Sequence, residues 1–147
     1  MRYYFDDPER QKELKAVLES WLGTPFRHAA MVKKAGVDCI HFVKGALDET
    51  GVRTPKVPKY PKDWHIHQTE NLMINGLNGA GCFELQPDVN PKNGDIIVFH
   101  YGKVESHVAI FFEGNLYHAL SGASVVKSDY KEQFLRSKVR KVYRVKA

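Results

Sequence analysis

The first apolar pattern along the chain has helical spacing. Asp7-Pro8-Glu9 supplies an N-cap, a proline at the first helical position and an acidic first turn, and Gly23 closes the segment. Between these ends five apolar residues recur every three or four positions: Leu14, Val17, Leu18, Trp21 and Leu22. This period predicts an amphipathic α-helix.

A second helical pattern follows the loop from Thr24 to Val37. It begins near Asp38 or Cys39 and ends at Gly51. Its apolar positions are Phe42, Val43, Ala46 and Leu47. We expect this helix to be buried on more than one side.

The pattern becomes irregular from Val52 to Lys92, a stretch with five prolines and two glycine clusters. A short helix is predicted from Trp64 to Leu77, with Asp63 as its cap. A connection this long inside a small domain is usually either functional or disordered. Because it contains Trp64, His65 and His67, we interpret it as one wall of a cleft.

Short apolar runs separated by turn residues occupy the last third of the chain. They predict strands at Asp95–Phe99, His107–Phe112, Leu116–Ala119, Val125–Val126 and Val139–Val145. Short turns favour antiparallel pairing. Helices gathered first and strands gathered second predict the α+β class, in one domain spanning residues 1–147.

Charge and composition exclude several classes of protein. The 147 residues include 22 Lys and Arg against 17 Asp and Glu, a net charge of +5 that suits an anionic partner without selecting one. The basic residues are spread thinly except from Lys127 to Lys146, where alternating charges indicate a solvated face, so we expect no nucleic-acid partner. We also expect no membrane span and no signal peptide, because apolar runs of the required length are missing from the sequence.

The two cysteines have different settings. Cys39 lies at the start of the second predicted helix, where the helix dipole and unpaired N–H groups favour a thiolate. The same N–H groups could hold an oxyanion. The alternative is a buried structural cysteine. Cys82 lies in a glycine-rich stretch and lacks these features.

Two histidines accompany Cys39 as candidates for catalysis. His107 opens one predicted strand and His118 ends the next, so the hairpin at Gly114-Asn115 brings them onto neighbouring strands. A base and a polar group that orients it would suit a thiol nucleophile. The sequence has no spacing typical of a zinc site, and we expect no metal or organic cofactor.

Five segments, in order, resemble the NlpC-type cell-wall cysteine peptidases, a branch of the papain-like fold. The segments resemble the family's W-x-GTPY entry, DCSGFV helix start, GDLVFF strand, HVGIY strand and IHA ending. In this chain they are Trp21–His28, Asp38–Val43, Asn93–Phe99, Ser106–Ile110 and Tyr117–Ala119.

The resemblance implies hydrolysis of an amide in peptidoglycan stem peptides. Cys39 would be the nucleophile, His107 its base, and His118 the residue that orients His107. Asp38 matches an acidic residue that in some members contacts the free amine of the substrate. The compact form resembles members encoded in phage-tail and gene-transfer clusters. We therefore expect action on the cell wall as a virion-associated or exported protein, made in the cytoplasm.

Two departures from the family pattern affect the expected substrate site. Ile40-His41 follow the cysteine where Ser-Gly is usual, and Phe26 replaces a tyrosine. We expect Asp38, Phe26, Ile40 and Trp64 to contact the substrate. The oligomeric state is open, and phage-tail or cell-wall components are the expected partners. Two other functions stay open: an acyltransferase or deamidase with the same thiol, and a non-catalytic module that binds wall or tail.

Overall fold

Helices precede strands along the chain. The computed structural model describes residues 2–60, 76–88, 90–101, 104–131 and 138–147. A 3-10 turn, Tyr4–Asp6, comes before the two named helices of these residues, α1 (Pro8–Trp21) and α2 (Cys39–Glu49). The strands are β1 (Met31–Val32), β2 (Gly36–Val37), β3 (Phe83–Leu85), β4 (Ile96–Tyr101), β5 (Val104–Phe112), β6 (Asn115–Ala119), β7 (Val125–Asp129) and β8 (Val139–Val145).

The first helix has the ends that its sequence predicts. The Asp7 side chain accepts a hydrogen bond from the backbone N–H of Glu9 at 2.9 Å, and Pro8 is the first helical residue. The chain leaves the helix through Gly23, whose φ of +84° favours glycine. The apolar face of α1 is buried at Leu14, Leu18 and Trp21.

The second helix starts at Cys39, with Asp38 as its N-cap. The Asp38 carboxylate accepts the backbone N–H of His41 at 2.8 Å, which satisfies one of the unpaired donors of the first turn. A Cβ atom on Gly45 would lie 2.9 Å from a ring carbon of Trp21. Glycine at this position therefore lets α2 pack closely against α1.

Six strands form one antiparallel sheet in the order β3-β8-β4-β5-β6-β7. The last strand, β8, lies between β3 and β4, so residues near the C-terminus pair with the interior of the sheet. The remaining strands, β1 and β2, form a small separate hairpin. This architecture confirms the predicted α+β class.

Alternate residues of the sheet belong to two apolar clusters. Along β4, Ile96 and Val98 belong to the same cluster as the buried residues of both helices, whereas Ile97 and Phe99 belong to the second cluster. Cys39 is part of the helix-side cluster. None of the described helices is long and apolar enough to cross a membrane.

The boundaries differ from the prediction where pairing depends on distant residues. β1 and β2 fall in the predicted loop from Thr24 to Val37, and each is only two residues long, too short to show an alternating pattern. β3 falls in the stretch predicted to be irregular and is held by pairing with β8. Of the helix predicted from Trp64 to Leu77, residues 64–75 lie outside the described residues, and so do residues 61–63 and 89 of the predicted cleft wall.

Candidate active site

Cys39 is the first residue of α2 and is only 7% exposed. The backbone N–H groups of Val108, Ile40 and Cys39 itself lie near its thiol and act to lower the pKa of that group. The Val108 nitrogen belongs to the peptide unit that joins it to His107. The first turn of α2 therefore lies against β5 where His107 leaves the backbone.

The charge state of the Cys39 thiol differs from the expected thiolate. Burial and then the neighbouring Asp38 carboxylate raise its pKa to about 12, although the three N–H groups act in the opposite direction. The helix-start position alone predicts a lowered pKa. That expectation was wrong because desolvation and Asp38 outweigh the helix terminus.

His107 and His118 form a direct hydrogen bond. The Nε2 atom of His107 lies 2.9 Å from Nδ1 of His118, and both side chains are buried. On its other side, Nε2 of His118 lies 2.9 Å from the hydroxyl oxygen of Ser128 on β7. The Phe99 ring packs edge-on against both imidazoles. The predicted hairpin thus brings the two histidines together.

Both imidazoles are neutral at pH 7. Burial lowers the pKa of His118 to about 4. Burial, with His118 adding to it, holds the pKa of His107 well below its usual value. The resting site therefore pairs a neutral thiol with neutral imidazoles.

A second polar cluster surrounds Asp38, which is 4% exposed. One carboxylate oxygen accepts from the backbone N–H of His41 at 2.8 Å and lies 2.9 Å from Nδ1 of the same residue. The other oxygen accepts from the backbone N–H of Ala29 at 2.8 Å and from the hydroxyl of Tyr60. The carboxylate therefore has partners on both oxygens, and His41 turns back towards it.

The hydrogen bonds decide the charge of Asp38. Burial raises the pKa of its carboxyl group, but the hydrogen bonds from His41 and Tyr60 outweigh burial and hold the pKa below its usual value. Burial and the same carboxylate raise the pKa of the Tyr60 phenol far above its usual value. A fixed negative charge thus lies directly before the cysteine.

The other predicted substrate residues are placed as follows. Phe26 is partly buried and forms an isolated bridge with Val37, two residues before Cys39. Ile40 is also partly buried and packs against the helix-side cluster. Trp64 lies outside the described residues. Cys82 is partly exposed and its backbone carbonyl accepts from Lys146, at the β3 end of the sheet.

Sequence reasoning missed two residues of these clusters. Tyr60 comes from the irregular stretch, and Ser128 is a strand serine; neither belongs to a motif with a chemical meaning. The sequence of β7, Val-Val-Lys-Ser-Asp, has no alternating pattern that could have singled out Ser128. Among the described residues there is no group of three or more His, Cys, Asp or Glu side chains that could hold a metal ion.

These elements define a papain-like α+β protein with a helix-start cysteine next to a strand that carries a hydrogen-bonded histidine. The chain belongs to the NlpC/P60 family, whose model matches residues 23–144. The resemblance seen in the five sequence segments is thereby confirmed.

Solved structures with low sequence identity share the fold. An NLP/P60-family protein of Staphylococcus aureus, described as similar to a lipoprotein, has a TM-score of 0.61 at 18% identity, covering 95% of this chain and 42% of that one. For RipB, a peptidoglycan hydrolase of Mycobacterium tuberculosis, the TM-score is 0.58 at 15% identity, covering 92% and 64%.

The NlpC/p60 domain of the peptidoglycan hydrolase SagA has a TM-score of 0.54 at 19% identity, covering 92% of this chain and 97% of that domain. The chain spans less than half the length of the Staphylococcus aureus protein. A search of curated proteins gave no match.

Proposed function

We propose that this protein is a cysteine hydrolase that cuts an amide bond in the stem peptides of peptidoglycan. One observation carries the proposal: His118 holds the His107 imidazole on the strand whose Val108 N–H reaches the Cys39 thiol. Family membership and a fold shared with two peptidoglycan hydrolases support the choice of substrate. A net charge of +5 suits the anionic cell wall.

The first chemical step is attack by Cys39 on the amide carbonyl. The thiol proton passes to Nδ1 of His107, because Nε2 is engaged with His118. The sulfur bonds to the carbonyl carbon, and backbone N–H groups of the α2 first turn stabilise the negative oxygen. His107 then gives its proton to the leaving amine, and a thioester remains on Cys39.

Water completes the reaction. His107 accepts a proton from the water molecule, whose oxygen attacks the thioester carbon, and the proton returns to the departing sulfur. The product is a carboxylic acid and the enzyme is restored. The reaction needs no redox step. His107 carries the proton both in thioester formation and in thioester hydrolysis.

The neutral resting state shapes this mechanism. Because the pKa of the thiol is about 12 and that of His107 is low, the ion pair is costly before substrate binds. Proton transfer is then coupled to attack on the carbonyl, when negative charge moves from sulfur to an oxygen held by N–H groups. His118 assists by accepting a hydrogen bond from the protonated His107.

Asp38 is the candidate partner for a substrate amine. Its carboxylate is buried and ionised. Ala29 and His41, which donate to it, lie close to it in the chain, whereas Tyr60 donates from a separate segment. A substrate ammonium that reaches Asp38 would replace or share the Tyr60 hydrogen bond. Tyr60 would then distinguish substrates with a free amine from those without one.

Product analysis in ¹⁸O-labelled water tests the proposed reaction. A γ-D-glutamyl-diaminopimelate peptide should yield an acid product that carries one labelled oxygen, in a reaction that Cys39→Ala abolishes. Cys82→Ala, which alters the other free thiol, is the matched control and should keep full turnover. An acyl group found on another nucleophile would favour a transferase. Wall binding without turnover would favour a non-catalytic module.

We also propose that the protein reaches the cell wall from outside the cytoplasm. Action from a phage tail, a gene-transfer particle or by export is compatible with this fold, and the genes next to the coding sequence would discriminate among these roles. Adjacent tail-assembly genes would favour the virion role.

A further inference from the structure

A cavity of about 340 Å³ opens beside the first turn of α2. Its walls come from α2, the chain segment around residues 54–60, residues 76–80, β3 and β5. Its apolar lining includes Ile40, Val43, Leu47, Val57, Phe83 and Val108. Its volume is in the range of small-molecule sites.

Of the four described residues with polar side chains that line this cavity, Lys44, Thr54 and Tyr60 are paired with one another, with Asp48 or with Asp38, and Lys56 is exposed at its edge. The Lys44 ammonium contacts the Thr54 hydroxyl at 2.8 Å and the Asp48 carboxylate at 3.1 Å. The Thr54 hydroxyl in turn donates to Asp48, and the Tyr60 hydroxyl donates to Asp38. Against the apolar walls that the described residues form, away from Lys56, an ionised ligand group would therefore lose its hydration, which is costly.

The cavity adjoins the proposed nucleophile on two sides. Ile40 follows Cys39 in the chain, and the backbone N–H of Val108 lies near the Cys39 thiol. A substrate group that binds in this cavity is therefore joined to the substrate close to the carbonyl carbon that the sulfur attacks. In a thioester mechanism the acyl group stays on the sulfur after the amine has left, so a cavity beside the sulfur favours the acyl side.

We propose that this cavity binds an aliphatic chain on the acyl group of the substrate. The inference rests on the proposed function for the role of Cys39 and extends it to a substrate class. The substrates are amides or esters whose acyl part carries an apolar side chain or a short unbranched chain.

A series of p-nitrophenyl esters from acetate to octanoate measures the effect on turnover. Sulfur attack releases nitrophenolate, the proton remains on His107, and water then frees the carboxylic acid. After subtraction of the Cys39→Ala rate, kcat/KM should rise about fourfold for each methylene until the cavity is filled. Ala80→Phe narrows the cavity at a partly buried lining residue and should flatten this rise. Ala16→Phe, on the exposed face of α1, is the matched control and should keep it.

Binding to Cys39→Ala separates the cavity from the chemistry. Calorimetry should show that N-octanoylglycinamide binds at least tenfold more tightly than N-acetylglycinamide, and that adding Ala80→Phe removes the difference. This result supports the cavity even if the wild type turns over no ester, in which case only the proposed function fails. Equal affinities would overturn the inference, and so would tighter binding of N-octylacetamide than of N-octanoylglycinamide, which would place the chain on the amine side.

Discussion

The Nε2 atom of His107 lies 2.9 Å from Nδ1 of His118, and both rings are buried against Phe99. In the proposed mechanism, this contact leaves Nδ1 of His107 as the nitrogen that exchanges a proton with the thiol. If His107 donates through Nε2, His118 accepts through Nδ1 and presents its own Nε2–H to Ser128. The chain of two imidazoles and one hydroxyl then keeps a lone pair on Nδ1 of His107.

Replacing His118 tests its orienting role. His118→Ala removes the acceptor for His107, and kcat/KM should fall by about 10²-fold, at the lower end of the range for acid–base groups. His118→Asn keeps an oxygen acceptor near the position of Nδ1 and should recover a substantial part of the loss. Equal activity of the two variants would show that the hydrogen bond has no role in orientation.

The rate of Cys39 alkylation should report its raised pKa. In a Cys82→Ala background, the logarithm of the iodoacetamide rate should rise by about one for each pH unit from pH 7 to 10, because only the thiolate reacts. Asp38→Asn keeps an N-cap and removes a neighbouring charge, so it should react faster at each pH. A rate that is already constant between pH 6 and 8 would contradict the protonated resting thiol.

Stability should fall as the solution is acidified from pH 7 to 4. Unfolded histidine takes up a proton near pH 6.5, whereas folded His118 does so only at about pH 4. Between these values the unfolded chain holds more protons, so the free energy of unfolding decreases with falling pH, by about 3 kcal/mol for His118. The lowered pKa of His107 acts in the same direction.

Urea denaturation at pH 7.5, 5.5 and 4.5 measures this loss. His118→Asn has no titrating side chain at that position, so its free energy of unfolding should depend less on pH than that of the wild type. Identical dependence in both proteins would mean that His118 is not buried in the neutral form.

The aspartate of the Asn93-Gly94-Asp95 segment has a structural role that activity assays can separate from catalysis. Asp95 is 1% exposed and forms two hydrogen bonds with Arg144, at 2.9 and 2.8 Å, which join the start of β4 to β8. Asp95→Ala leaves Arg144 without this partner and should lower the free energy of unfolding by about 3–5 kcal/mol.

An exposed ion pair provides the control for Asp95. Lys15 and Glu113 lie 2.8 Å apart with both side chains about half exposed, so Lys15→Ala should leave the free energy of unfolding almost unchanged. A similar small cost for Asp95→Ala would show that the buried pair adds little.

Local signals explain why much of the fold was predictable. Asp7, Pro8 and Gly23 bound α1, and Asp38 begins α2, because caps depend on residues within one turn. The Gly114-Asn115 turn fixed which strands pair, and this pairing placed His107 beside His118. These relationships act over short stretches of chain.

The rest of the site depends on contacts between distant segments. Tyr60 lies 22 residues after Asp38 in the chain and still donates a hydrogen bond to it, and β3 exists as a strand because β8 pairs with it. The pKa of Cys39 follows from its burial under β5 and from Asp38, which together outweigh the helix terminus. Burial is a property of the whole fold, so the sequence predicted the position of Cys39 correctly and its charge state incorrectly.

Turnover of a γ-D-glutamyl-diaminopimelate peptide by Cys39→Ala tests the central claim most directly. The wild type and Cys82→Ala should release the two product fragments at equal rates, whereas Cys39→Ala should release none above background while it keeps the wild-type circular dichroism spectrum. Full turnover by a folded Cys39→Ala protein would contradict the assignment of Cys39 as the nucleophile.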